Sequence, residues 1–207
     1  MPNMMASTTP CCARRHKRPA LLRLLPWSLV LWLFLPPAAL AQDAEVRYAE
    51  IVADGGNYVI NADIALTLNP AVANAIERGV PIHFVAEAAI ESPRWYWFDE
   101  TIVGRRLEYR LSYQPITRKY RLNIGSLYRN FDTVESAVQA MQRTRNWLVA
   151  PLGTLHNGRS YDAAVRFRLE LNELPKPFQV SAIGSSDWTL ETDWNRWTFL
   201  ASPPGSP

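Results

Sequence analysis

Residues 80–124, VPIHFVAEAAIESPRWYWFDETIVGRRLEYRLSYQPITRKYRLNI, decide how the rest of the chain is read. From Val80 to Ile90 every even position is apolar: Val80, Ile82, Phe84, Ala86, Ala88 and Ile90. The odd positions include His83 and Glu87, with Glu91 just beyond, so one face is dry and the other mixed, the period-2 signature of a half-buried strand. Leu107, Tyr109, Leu111 and Tyr113 alternate with Arg106, Glu108, Arg110 and Ser112. After a Gln114-Pro115-Ile116-Thr117 turn the alternation resumes with Tyr120, Leu122 and Ile124 against Lys119, Arg121 and Asn123. Two such runs around a short loop make a hairpin. Between them Arg94-Trp95-Tyr96-Trp97-Phe98 is aromatic on both faces, as expected of a strand covered on both sides or lying at an edge against a loop.

Outward from this stretch, the neighbours read as more sheet and two helices. Residues 45–52 form an imperfectly alternating strand, and Asp54-Gly55-Gly56-Asn57 suits the positive φ of a tight turn. Tyr58, Ile60, Ala62, Ile64, Leu66 and Leu68 follow as a clean strand. Asn69 then caps a short helix that starts at Pro70, carries Val72 and Ile76 inward and stops at Gly79. Downstream, Asp132 and Glu135 form a capping-box pattern, and Val134, Ala137, Val138 and Met141 lay one apolar stripe, predicting a helix to about Trp147. Tyr161, Ala163, Val165, Phe167, Leu169 and Leu171 predict a strand, as do residues 178–183 after the Leu174-Pro175-Lys176-Pro177 connector. Trp188, Leu190 and Trp194, then Trp197 and Phe199 after a register change, complete the domain. The fold class is mainly β, an antiparallel β-sandwich with two short helices in its connections.

The ends read differently. Arg14, Arg15, Lys17 and Arg18 precede an apolar run at 24–35, Pro36-Pro37 breaks it, and Ala39-Leu40-Ala41 offers a small-x-small cleavage site. That order predicts a secretory signal peptide over 1–41, one domain over 42–201 and a Pro/Ser/Gly tail over 202–207. The alternative is an uncleaved anchor in the inner membrane, because 24–41 is nearly long enough to span a bilayer. The formal charge of +3 rests on that leader: five of the 22 lysines and arginines lie in it with no acid, leaving 17 bases against 19 acids. Neither nucleic acid nor an anionic membrane surface is therefore expected as a partner. Cys11 and Cys12, the only cysteines, also lie in the leader, so the domain must be held by its core.

Three constellations stand out as candidate sites. Arg105, Arg106, Arg110, Arg118, Lys119 and Arg121 gather on the central hairpin and could grip a phosphate, a carboxylate or an acidic protein. The same residues could equally be a solvated face paired with Glu87, Glu91 and Glu108. Trp95, Trp97, Trp194 and Trp197 are candidate aromatic contacts, against core filling for Trp95 or Trp97 and for Trp147, with Trp194 and Trp197 open to both readings. For catalysis there is little. His83 and His156 have no metal-ligand spacing, no nucleophile elbow or phosphate loop is present, and Asp99-Glu100 reads as a turn. No catalytic or metal residue and no cofactor is assigned.

Arg78-Gly79-Val80-Pro81-Ile82, Arg94-Trp95-Tyr96-Trp97, the 107–122 hairpin with its tyrosines, Leu174-Pro175-x-Pro177-x-Gln179-Val180 and Ser186-Asp187-Trp188 carry a resemblance. The chain resembles an uncharacterised proteobacterial family of exported proteins, the domain-of-unknown-function family DUF4390. The resemblance implies export and proteobacterial origin, and genes of this kind tend to neighbour a membrane sensor kinase; together with the leader this gives a periplasmic location as the expectation. It supplies no catalytic residues. The expectation is a non-catalytic binding or accessory module of the cell envelope, with an envelope protein or the sensor kinase as partner and no stable membrane insertion after cleavage. The second expectation is a carrier of an apolar or amphipathic ligand between the sheets, and the third is a hydrolase.

Overall fold

Two antiparallel sheets share one core in a computed structural model of the chain, which describes residues 44–94 and 100–201. Residues 1–43, the aromatic segment Trp95 to Asp99 and residues 202–207 lie outside the described residues, and with them the expected leader and tail, the predicted strand at the aromatic segment, Trp95 and Trp97. The nine strands among the described residues are β1 (Ala44–Asp54), β2 (Asn57–Leu66), β3 (Ile82–Ser92), β4 (Glu100–Gln114), β5 (Lys119–Ile124), β6 (Leu127–Phe131), β7 (Arg143–Pro151), β8 (Ser160–Leu169) and β9 (Asn195–Leu200). Three helices join them: α1 (Pro70–Glu77), α2 (Val134–Met141) and α3 (Lys176–Ala182). One sheet has the order β1-β2-β7 and the other β6-β5-β4-β3-β8-β9. The expected antiparallel β-sandwich is the fold.

The interlayer is built from the alternation read in the sequence. Ile82, Phe84, Ala86, Ala88 and Ile90 of β3 are all buried, as are Tyr109 and Leu111 of β4 and Leu122 of β5. Register explains why they meet: Phe84 lies opposite Tyr109 on one side and Leu169 on the other, and Leu111 lies opposite Leu122. The small sheet contributes Ile60, Ala62 and Ile64 to the same core. Gly55 and Gly56, at φ 54° and 84°, supply the left-handed turn between β1 and β2.

Both helices read from sequence are present and lay the expected residues inward. In α1 the Asn69 Oδ1 accepts the Ala71 N–H at 3.0 Å, and Pro70 occupies the first turn. At its end Gly79 N–H reaches the Ile76 carbonyl at 2.9 Å and Val80 N–H the Ala75 carbonyl at 3.0 Å, a Schellman closure around Gly79 at φ 84°. Val72, Ile76, Val138 and Met141 are all buried. Val138→Asp is therefore expected to destabilise the domain by about 2 kcal/mol, since a carboxylate would enter an apolar contact without a partner. Thermal melts would show it, and an unchanged Tm would mean that α2 does not need its apolar stripe.

The structure corrects four expectations. Helix α2 stops at Met141 instead of running to Trp147, because Thr144, Trp147, Val149 and Ala150 are inward-facing residues of β7, the third strand of the small sheet. Its cap is Thr133, whose Oγ1 accepts the Ser136 N–H at 3.2 Å, which leaves Asp132 to pair with Lys119. Residues 178–183 are not a strand. Pro177 sits in the first turn of α3, where its fixed φ suits a helix, and Phe178 packs on Trp188 at 5.8 Å between ring centroids. Strand β6 was not expected, because Leu127, Tyr128, Arg129, Asn130 and Phe131 lack apolar alternation. Among the described residues there are thus three helices, not two.

Candidate functional site

Alternation fixes which residues of the large sheet face away from the small one: His83, Val85, Glu87, Ala89 and Glu91 on β3, and Arg106, Glu108 and Arg110 on β4. Cross-strand register then assembles rows. Glu87 stands between Arg106 on β4 and Arg166 on β8. Next but one along the sheet runs His83–Arg110–Asn123–Tyr128, and beside it Ser112–Arg121–Asn130. The outer face therefore divides into an ion-paired half on β3 and β8 and a different half on β4, β5 and β6.

On the first half the charges are paired. Glu87 Oε1 accepts from Arg106 Nε at 2.9 Å and Nη2 at 2.6 Å, and Oε2 accepts from Arg166 Nε at 2.6 Å. Arg168 Nη2 reaches Glu87 at 3.4 Å and Glu170 at 2.9 Å. Partial burial opposes ionisation of Glu87, but the hydrogen bonds from Arg106, Arg166 and Arg168 win and hold its carboxyl down to about 2. Arg196 pairs with Glu91 at 2.9 Å. The Arg166 guanidinium lies 4.6 Å from the centroid of the Trp194 ring, with Arg196 at 6.0 Å.

The second half holds two arginines, Arg110 and Arg121, that form no ion pair among the described residues, with Glu108 on the same face of β4. Arg110 is exposed and has no ion-pair partner among the described residues. Arg121 donates from Nε to Asn130 Oδ1 at 3.3 Å, and its guanidinium lies 5.1 Å from the Tyr128 ring centroid. Tyr128 is 64% exposed. His83, beside Arg110, has its pKa lowered chiefly by burial and secondarily by that guanidinium, so it stays neutral to lower pH than a free imidazole. The aromatic partners of the hairpin, Tyr109, Tyr113 and Tyr120, project to the opposite face, where the Tyr113 and Tyr120 rings meet at 5.1 Å.

The six basic residues grouped by sequence are not one patch. Arg105 shares the face of Leu107 and Tyr109, where its Nε donates to the Val149 carbonyl of β7 at 2.9 Å and ties the two sheets together. The reason is parity: two consecutive arginines on one strand point to opposite faces. Arg106 belongs to the Glu87 cluster. Lys119 is taken by Asp132, although it lies on the outer face with Arg121. Arg118 sits in the turn at φ 51°, exposed and without an ion-pair partner among the described residues. The residues that come together are Arg110 and Arg121, with His83, Asn123, Tyr128 and Asn130, which sequence reasoning missed. Only the unrecognised strand β6 could have revealed Tyr128 and Asn130.

Of the aromatic candidates within the described residues, Trp194 is 36% exposed against its two arginines, whereas Trp197 is half-buried and packs on the core. Trp147 is buried, as read from sequence. Glu100 begins β4 and pairs with Arg94. The backbone N–H of His156 donates to the Tyr161 hydroxyl at 3.0 Å, which ties the loop to β8. Among the described residues no group of three or more His, Cys, Asp and Glu side chains is placed to hold a metal ion.

The sequence model of the family described as "Domain of unknown function (DUF4390)" matches residues 41–198. The chain belongs to that family. The DUF4390 match spans the described β-sandwich up to Thr198, near the end of β9. No curated protein and no solved structure matches the chain. No helix of the described residues in this DUF4390 protein is long and apolar enough to cross a membrane.

Proposed function

We propose that this DUF4390 protein is an exported, non-catalytic binding module of the cell envelope. It holds an acidic partner on the outer face of β4, β5 and β6, with an envelope protein such as a membrane sensor kinase as the candidate. The observation that carries this reading is the pair Arg110 and Arg121. Both lie on a flat sheet face beside the exposed ring of Tyr128, and neither has a carboxylate partner among the described residues. Elsewhere on the same face arginines are ion-paired, so the two that form no ion pair among the described residues mark where an external anion fits. Arginine and tyrosine are also the residues that dominate binding energetics at interfaces. The filled interlayer, with Phe84, Phe167, Tyr109 and Tyr161 all buried, supports this reading over a carrier of ligands between the sheets.

The test is charge reversal. Arg110→Glu combined with Arg121→Glu leaves the core untouched, so folding should be preserved. Crosslinks formed in intact envelopes should be lost, and high salt should mimic that loss on the unmutated protein, because exposed charges are screened within about 10 Å at 0.1 M. A reversed protein that keeps its crosslinks and restores a deletion strain fully would reduce the patch to a solvated face.

Export has its own measurement. The mature chain is expected to begin at Gln42, which intact-mass analysis of the envelope fraction reads directly. A species retaining residues 24–35 would instead make the protein an N-terminally anchored one.

A further inference from the structure

A two-sheet sandwich has four outer strands, here β1, β7, β6 and β9, and each presents backbone groups that another chain could pair with. Three are closed off. β1 carries a bulge between Val46 and Tyr48, and its Val46 carbonyl accepts from Asn195 Nδ2 at the start of β9 at 3.3 Å, so these two edges face each other. β7 shifts register twice against β2, holds Asn146 at φ 52° and ends in Pro151. β6 differs. Its five residues pair with β5 without a break, contain no proline, and have no partner on the other side among the described residues. A two-residue turn, Gly125-Ser126, joins the two strands, which makes Ile124 and Leu127 a hydrogen-bonded pair. By the alternation of an antiparallel ladder, Tyr128 and Asn130 then direct their N–H and C=O groups away from β5.

The side chains along this edge have one sign. On the helix side Arg129 and Arg143 line a cleft of about 570 Å³ with Ser136, Gln139 and Gln142, and no carboxylate lines it. Neither arginine has an ion-pair partner among the described residues, while the nearby Asp132 is engaged by Lys119. On the opposite side Arg121 lies over Tyr128. A second copy of the chain fits poorly, because symmetric pairing centred on β6 would set Arg129 against its own copy, and like charges directly opposite are destabilising.

We infer that the β6 edge takes up an extended, acidic segment of the partner as a seventh strand of the large sheet, its carboxylates directed at Arg129 and Arg143. Tyr128 and Asn130 supply the backbone hydrogen bonds, which give affinity whatever the sequence. Arg129 and Arg143 select for acidic residues at every second position, about 7 Å apart along the strand. This rests on the reading that the domain holds a partner, and it specifies that partner's conformation and charge.

The probe is a fluorescein-labelled decapeptide of alternating threonine and glutamate, titrated into the purified full chain. It is compared with the same peptide N-methylated at alternate amides and with a threonine–lysine counterpart. The glutamate peptide should bind, the lysine peptide should not, and N-methylation should weaken binding at least tenfold, because it removes hydrogen bonds and no charge. Asn130→Pro, which removes one edge-facing N–H at a position where edge strands accept proline, and Arg129→Glu should each weaken binding at least tenfold. Bound peptide should also slow hydrogen exchange at the Tyr128 and Asn130 amides. Equal binding of the parent and N-methylated peptides to the unmutated protein overturns the inference while leaving the face reading intact. Failure of the glutamate peptide to bind also overturns it. So does self-association that Asn130→Pro abolishes, which would give the edge to a second copy. Envelope crosslinks that survive Arg110→Glu/Arg121→Glu sink the face reading alone.

Discussion

Phe167→Ala is expected to lower the unfolding free energy by about 4 kcal/mol, within the range for emptying a large buried aromatic site. Phe167 is fully buried on β8, stacked on Phe84 at 5.7 Å and met edge-on by Tyr109 at the same separation. The cavity has little freedom to collapse. The Phe167 N–H donates to Thr192 Oγ1 at 2.9 Å and its carbonyl accepts the Thr192 N–H at 2.8 Å, while Ala86 fixes the other side through the ladder. Urea denaturation should show a lower midpoint with an unchanged slope. A loss below about 1 kcal/mol would mean that the three rings do not form a mutually supporting cluster.

That cluster was legible in the sequence, and the reason is period. Phe84, Tyr109 and Phe167 each fall on the apolar parity of a long alternating run, and strand parity needs no knowledge of partners. The caps of α1 were equally legible, since Asn69, Pro70 and Gly79 act locally. What failed was whatever depends on distant company. β6 is exposed on both faces except at Phe131, so no burial imprinted a pattern on it. The first half of β7, to about Trp147, reads as helix because its apolar residues follow the stripe of α2 without a breaker, and only pairing with β2 extends them. The candidate site shared this limit. Adjacent arginines at 105 and 106 look alike in one dimension, but one spans the sheets and the other grips Glu87.

Glu87→Gln should lower stability by about 2 kcal/mol at neutral pH, because three charge-assisted hydrogen bonds lose their acceptor charge while Glu170 still pairs with Arg168. Three guanidinium groups converge on this one carboxylate, whose side chain is 13% exposed. The amide would leave Arg106, Arg166 and Arg168 repelling one another. The pH dependence carries a sign that packing alone would not give. The Glu87 carboxyl titrates at about 2 in the fold against 4.5 when unperturbed, so its contribution is complete above 4.5 and is lost as pH falls toward 2. The stability gap between the unmutated protein and Glu87→Gln should therefore shrink across that window. A gap that stays constant from pH 6 to pH 2.5 would show that the arginines are held by something other than this charge.

The position of β3 at the middle of the large sheet bears on how the molecule is made. Its partner on one side, β4, is synthesised directly after it, but its partner on the other, β8, comes only after β5, β6, α2 and β7. Until residue 160 has emerged, one flank of β3 has no strand to pair with and the row from Phe84 to Ile90 lacks half its cover. Pairings between segments so far apart in the chain form slowly, and open edges invite association with other chains in the meantime. A ribosome that releases this protein residue by residue is thus handling a sheet whose centre is laid down early and closed last. Any chain ending before β8 should behave as a client of holding chaperones, not as a smaller folded domain.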